Sequence, residues 1–173
     1  SRIDFHGRSL LFLDAPGHAR HHYCVIDEST NSVFSGDNFG ISYREFDNEN
    51  GAFIFPTTTP VQFDPEAMRK TLDRLLSYNP QAVYLTHFGR VTNVEKLGSD
   101  LRNCLDQLTE MALVLKQEGK AQQDSLASGV QQILRDRLRK HNCQLPESRQ
   151  DELLAFDYQL NAQGIKVWLD RLD

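Results

Sequence analysis

The feature that most limits what this chain can fold into is a change of texture near residue 92. Before it, apolar residues come in short runs, each closed by turn chemistry. After it, they recur every three or four residues to the end of the chain. The first pattern is that of short buried strands and the second that of amphipathic helices. Residues 10–13 predict a strand that stops in Asp14-Ala15-Pro16-Gly17. Residues 23–26 predict a second strand, joined by the polar residues 27–31 to a third over 32–35, which Gly36-Asp37-Asn38 ends. Residues 38–63 read as one long irregular stretch with Gly40, Gly51, Pro56 and Pro60, yet Phe39, Tyr43, Phe46, Phe53 and Phe55 make it too aromatic for plain disorder. Asp64-Pro65-Glu66 is a helix start, with a capping carboxylate, a proline in the first turn and an acid after it. Met68, Leu72, Leu75 and Leu76 carry that helix to Asn79-Pro80. A further strand over 82–85 runs into Thr86-His87.

Beyond residue 92, Val94, Leu97, Leu101, Leu105, Leu108, Met111 and Leu115 form one stripe, with Asn93 as its cap. Leu126, Val130, Ile133, Leu134 and Leu138 form a second, and Leu153 to Leu169 supply one or two more helices. Gly98, Gly119, Gly129, Pro146 and Gly164 are the breakers in this region. The fold class is therefore α/β, divided into a β-rich part, residues 1–91, and a helical C-terminal region, residues 92–173. The helical stripes read as core, with Trp168 as an anchor.

Charge narrows the function. A net charge of -5 gives no general pull toward nucleic acid or an anionic membrane. No apolar run reaches the length of a membrane span. The three cysteines, Cys24, Cys104 and Cys143, have no CxxC spacing and suit a reducing cytoplasm, with Cys24 and Cys104 as packed residues. The expected partner is a small-molecule substrate.

Three places carry chemistry, and each follows a strand end. Asp14-Ala-Pro-Gly-His18-Ala-Arg-His21-His22 puts three of the six histidines within five residues. Ser35-Gly36-Asp37 and Thr86-His87 are the others. Neutral imidazole and carboxylate are the donors that zinc and iron take. Side chains that leave neighbouring strands at the same edge can converge on one ion.

The segment Ala15-Pro-Gly-His18-Ala-Arg-His-His22 resembles the Thr-Pro-Gly-His-Thr-x-Gly-His segment of metallo-β-lactamase fold hydrolases. Asp37 and His87 follow at the distances of that family's next ligands, and the match runs over roughly residues 9–90. The resemblance implies an αβ/βα sandwich, of which this chain is the C-terminal part, and two divalent metal ions, zinc first, with iron or manganese as alternatives. His18 would bind the first metal, Asp37 would bridge both and His87 would bind the second. His22 and His21 would lie behind the ligands, and Tyr43 and Arg90 would face substrate. Arg44, Phe55, Thr57 to Thr59 and Arg20 are further substrate-side candidates. The chain departs from the family at Ala15, Ala19 and His21, and its residues before His18 contain no His-x-His-x-Asp-His motif.

The implied activity is metal-dependent hydrolysis of an ester, thioester or lactam-type substrate. The expectation for this chain by itself is at most one weakly held metal, no turnover, and self-association through its β-rich part. Two other readings stand beside it: a mononuclear iron oxygenase resembling persulfide dioxygenases, and a binding module that keeps the fold without the site.

Overall fold

The computed structural model describes residues 1–58 and 62–172. Six strands form one mixed sheet in chain order: β1 (Arg2–Phe5), β2 (Arg8–Asp14), β3 (Tyr23–Asp27), β4 (Ser32–Phe34), β5 (Ala82–Tyr84) and β6 (Arg90–Val91). All neighbours are antiparallel except β4 and β5, which run parallel and are joined through α1 (Pro65–Leu76). Parallel neighbours need such a crossover, because a tight hairpin can only reverse the chain.

Alternation along each strand decides what the sheet buries. Leu11 and Leu13 of β2 pair with Ile26 and Cys24 of β3, and Val33 of β4 pairs with Val83 of β5. With Leu72 and Leu75 of α1 and Leu97 and Leu101 of α2 (Val94–Gln117) they form one cluster, buried except for Leu11, which is partly buried against it. The residues between them face the other way. Ile3, Phe5, Tyr23, Phe34 and Tyr84 are all exposed, and Phe34 stacks on Tyr84 with ring centroids 4.9 Å apart.

A second core lies among α2, α3 (Gln123–Lys140) and α4 (Glu147–Asp170). Leu105, Leu108, Val130, Leu134, Leu154 and Ile165 build it, and the long loop contributes Phe46, Phe53, Phe55 and Phe63. The aromatic residues of the loop are thus the packing that joins the sheet layer to the helices. Among the described residues no strand occurs beyond Val91, and no helix is long and apolar enough to cross a membrane.

The structure corrects several expectations. Strands β1 and β6 are additions to the sequence pattern: β1 carries only Ile3 and Phe5 as alternating apolar residues, and β6 is two residues long. The long stretch contains two short 3-10 turns, Gly36–Phe39 and Arg44–Phe46, and a bridge between Ile41 and Phe55. The cap of α1 is as expected, with the Asp64 carboxylate accepting from the Ala67 amide at 3.0 Å. Asn93 precedes α2, but its side chain caps nothing; it sits in the left-handed region at φ 57°, and only its carbonyl accepts, from Leu97. Of the expected breakers, Gly98, Gly129 and Gly164 lie inside helices, and only Gly119 and Pro146 stand at helix boundaries. The stretch from Leu153 to Leu169 belongs to one long helix, where the pattern allows one or two.

Candidate metal centre

The sheet brings the three strand ends to one edge. His18 lies in the loop after β2, Asp37 in the 3-10 turn after β4 and His87 shortly after β5. The loop bearing His18 is seated on the first turns of α1. Thr71 Oγ1 donates to the Pro16 carbonyl at 2.6 Å, and the Asp64 amide donates to the Gly17 carbonyl at 2.8 Å. A Cβ on Gly17 would lie 2.4 Å from the Met68 Cα, so only glycine lets this loop approach the helix so closely.

Asp37 is the centre of the group. Its Oδ2 is 3.9 Å from Nε2 of His18, and its Oδ1 is 3.8 Å from Nε2 of His87. The two carboxylate oxygens therefore address two different histidines. Nε2 of His22 also approaches Oδ2, at 3.2 Å. His18, His22 and Asp37 each offer a ligand atom, with all such atoms within 4.8 Å of one another.

Hydrogen bonds assign the histidine tautomers. Nδ1 of His18 lies 3.1 Å from the Thr57 carbonyl, which can only accept, and 3.3 Å from the Thr57 hydroxyl, which can accept as well as donate. The arrangement that satisfies the carbonyl puts the proton on Nδ1 and leaves the Nε2 lone pair toward Asp37. The Asn38 amide works in the opposite sense on His22. Its Nδ2 donates to the Ala15 carbonyl at 2.7 Å, which fixes the amide's orientation, and it approaches Nδ1 of His22 at 3.2 Å. With Nδ1 of His22 accepting, Nε2 holds the proton and donates to Asp37. His18 is thus poised as a ligand, and His22 is arranged as the hydrogen-bond partner that orients the carboxylate. Gly36 makes room for this: its φ is +54°, and a Cβ there would fall 2.2 Å from Cε1 of His22.

The other candidate residues divide. Tyr43 stands beside the site, with its ring 4.4 Å from Phe88, the neighbour of His87, and its hydroxyl donating to Asp157 at 2.8 Å. Burial and the nearby Asp157 push the Tyr43 phenol up, and burial likewise raises the Asp157 carboxyl, against the opposing Tyr43 hydrogen bond and the His87 charge. Thr57 and Thr58 are buried and in place behind His18, whereas Thr59 lies outside the described residues. Phe55 is core. Arg44 folds back on Ser42 at 2.9 Å and pairs with Asp47. His21, Arg20 and Arg90 are exposed, and His6 occupies the turn between β1 and β2.

Sequence reasoning missed Asn38, Asp157 and Asn161, all buried. A signal was present for two of them. With Leu154, Tyr158, Ala162 and Ile165 forming the buried stripe of α4, Asp157 and Asn161 fall on the same helical face. A polar group there must find a partner inside the protein.

This geometry can be set beside known proteins. The metallo-beta-lactamase superfamily matches residues 1–87, just over half of the 173. The chain belongs to the metallo-β-lactamase superfamily. A metallo-β-lactamase fold-containing protein of Sulfurisphaera tokodaii is 34% identical over 90 residues, covering 52% of this chain and 31% of that protein. Among solved structures, a metallo-β-lactamase family protein from Thermus thermophilus superposes with a TM-score of 0.51 at 20% identity, over 66% of this chain and 36% of the other. The stereoselective inverting sec-alkylsulfatase Pisa1 from Pseudomonas sp. gives a TM-score of 0.57 at 15% identity, over 99% of this chain and 25% of the sulfatase. These two structures share the metallo-β-lactamase fold with this chain. The chain spans about a third of the length of the curated relative it matches. Metal dependence is general in the superfamily, and the His-His-Asp group lies where its strand ends converge.

Proposed function

We propose that this chain supplies one side of a two-metal site in a metal-dependent hydrolase. The observation that carries the reading is the division of the Asp37 carboxylate, with one oxygen toward His18 and the other toward His87. Two metal–ligand bonds of about 2 Å each reach across donor separations of this size. His18 would hold one metal, His87 the other, and Asp37 would bridge them. When bound, the pair supplies an activated water nucleophile and polarises the bond to be cleaved.

The chain's own residues do the remaining work. His22 donates to Oδ2 of the Asp37 carboxylate, and Asn38 holds His22 in the tautomer that does so. The Thr57 carbonyl keeps His18 in the ligating tautomer. Tyr43 and Phe88 form an apolar wall next to His87, where the non-reacting part of a small-molecule substrate would rest. Zinc is the first choice for two imidazoles and a carboxylate, and iron the second. An ester, thioester or lactam is the substrate class proposed for the whole protein.

Three donors shared between two ions leave each ion partly filled, so the chain by itself should hold at most one metal, weakly. Calorimetric titration with Zn2+ and elemental analysis test this. Asp37→Ala should abolish zinc binding, and His18→Ala or His87→Ala should weaken it at least tenfold. Zinc binding that survives Asp37→Ala would refute the shared site. A hydrolysis assay on the whole protein with ester, thioester, lactam and alkyl sulfate substrates tests the reaction class, and one iron per chain with no hydrolysis would favour the oxygenase reading.

A further inference from the structure

The peptide unit between Thr57 and Thr58 has a bond at each end. Its carbonyl accepts from Nδ1 of His18 at 3.1 Å, and its N–H donates to Oδ1 of Asn161 at 2.7 Å. The unit is planar and rigid, so turning it away from one partner turns it away from the other. Asn161 is 1% exposed and lies on α4, 103 residues away from Thr58 in the chain. Its amide is locked in turn: Nδ2 donates to the Asp157 carbonyl at 2.9 Å, and the Thr58 hydroxyl lies 2.8 Å from Oδ1. An amide so held presents oxygen, and only oxygen, to the Thr58 N–H.

The same helix reaches the other side of the site. One turn earlier, Asp157 accepts from the Tyr43 hydroxyl, and the Tyr43 ring rests on Phe88 beside His87. Asp157 and Asn161 are polar groups on a stripe that packing alone would fill with leucine. Both are engaged with the long stretch between Asp37 and α1, at Tyr43 and Thr58, and that stretch in turn touches Phe88 beside His87 and Nδ1 of His18.

We infer that Asn161 is a positioning residue, which acts through the Thr57–Thr58 peptide to fix the tautomer and ring orientation of His18 and so couples α4 to the metal site. The inference rests on the reading of His18 as a metal ligand, but its first test needs no metal. Partners that hydrogen-bond a metal ligand directly typically change metal affinity by about ten- to a hundredfold when removed, and Asn161 holds such a partner in place. Coupling is also reciprocal, so metal bound at His18 must tighten the docking of α4.

The experiment takes the chain and its Asn161→Leu and Asn161→Asp variants. Nitrogen-15 NMR of the metal-free proteins reads the His18 tautomer. The wild-type ring should carry its proton on Nδ1, Asn161→Leu should give a mixture of tautomers, and Asn161→Asp, which keeps an acceptor, should restore the wild-type form. Titration with Zn2+ alone should then show a ten- to hundredfold weaker affinity for Asn161→Leu and a smaller loss for Asn161→Asp. An unchanged His18 tautomer in Asn161→Leu overturns the inference, as does a shifted tautomer with unchanged zinc affinity. A shifted tautomer in a protein whose wild type binds no zinc leaves Asn161 as the residue that orients His18 and overturns instead the reading that His18, Asp37 and His87 hold a metal in this chain by themselves. If Asn161→Leu does not fold, the wild type still decides: added Zn2+ should slow hydrogen exchange at the Thr58 amide and along α4, and equal exchange with and without zinc overturns the coupling.

Discussion

At Gly36 the absence of one carbon decides whether His22 can reach Asp37. The residue needs a left-handed backbone and the space that the His22 ring fills. Gly36→Ala should lose about 2–4 kcal/mol, combining a left-handed alanine with an overpacked contact. Thermal unfolding would show it as a fall of roughly 2–4 °C for each kcal/mol. Zinc affinity should fall with it, because the displaced ring no longer orients the carboxylate. A stable Gly36→Ala protein with full affinity would contradict this account of the turn. The cysteines give a second residue-scale prediction. Burial pushes the thiols of Cys24 and Cys104 up to about 12. Their thiolates are disfavoured in the fold, so thiol reagents should modify them only after unfolding, while the half-buried Cys143 reacts in the native state. In the unfolded chain the two buried thiols ionise near their ordinary value of 9.0. Between about 9 and 12 the folded state therefore holds more protons, and stability is fully present below 9 and declines as pH rises. The loss should reach about 1.4 kcal/mol per pH unit for each thiol, visible in denaturant melts across that range.

The elements show which parts of this architecture can be seen in a sequence. Asp64-Pro65 marks the start of α1 because capping joins neighbouring atoms, and local chemistry is written in adjacent residues. The stripes of α2 and α3 were legible for the same reason. Gly98 and Gly129 were not, because what they do involves another helix. A Cβ on Gly98 would lie 2.6 Å from the Leu76 side chain, and one on Gly129 would lie 2.6 Å from the Met111 sulfur. Gly98→Ala should cost a net 1–2 kcal/mol, roughly, since the crowding against a branched leucine exceeds the helix propensity gained. A melt that shows Gly98→Ala to be stabilising would mean that the Leu76 side chain can move aside at no cost. The candidate site divides similarly. His18, Asp37 and His87 were visible as side chains after strand ends, and they do gather at one carboxylate. Whether His22 ligates or orients depends on an Asn38 amide that only the folded loop brings to it, and Asn161 depends on contacts across most of the chain.

On the scale of the whole molecule, one face of the sheet is covered by α1 and α2, and the other shows Ile3, Phe5, Tyr23, Phe34 and Tyr84 to solvent. Apolar patches of this kind recruit partners. We propose that the isolated chain self-associates through this face. Light scattering should report species larger than a monomer that shrink in Phe34→Lys, while a clean monomer at high concentration would count against it. The peptide at Thr57–Thr58 has a different consequence, and it concerns time. The residue that steadies His18 lies at position 161, so a chain emerging from the ribosome carries all three candidate ligands long before it carries the group that aims one of them. Between the making of His87 and that of Asn161, then, the histidines are present but unaimed. With Asn161 acting as proposed, whatever affinity this site has for a metal would reach its full value only once α4 has been made and has docked.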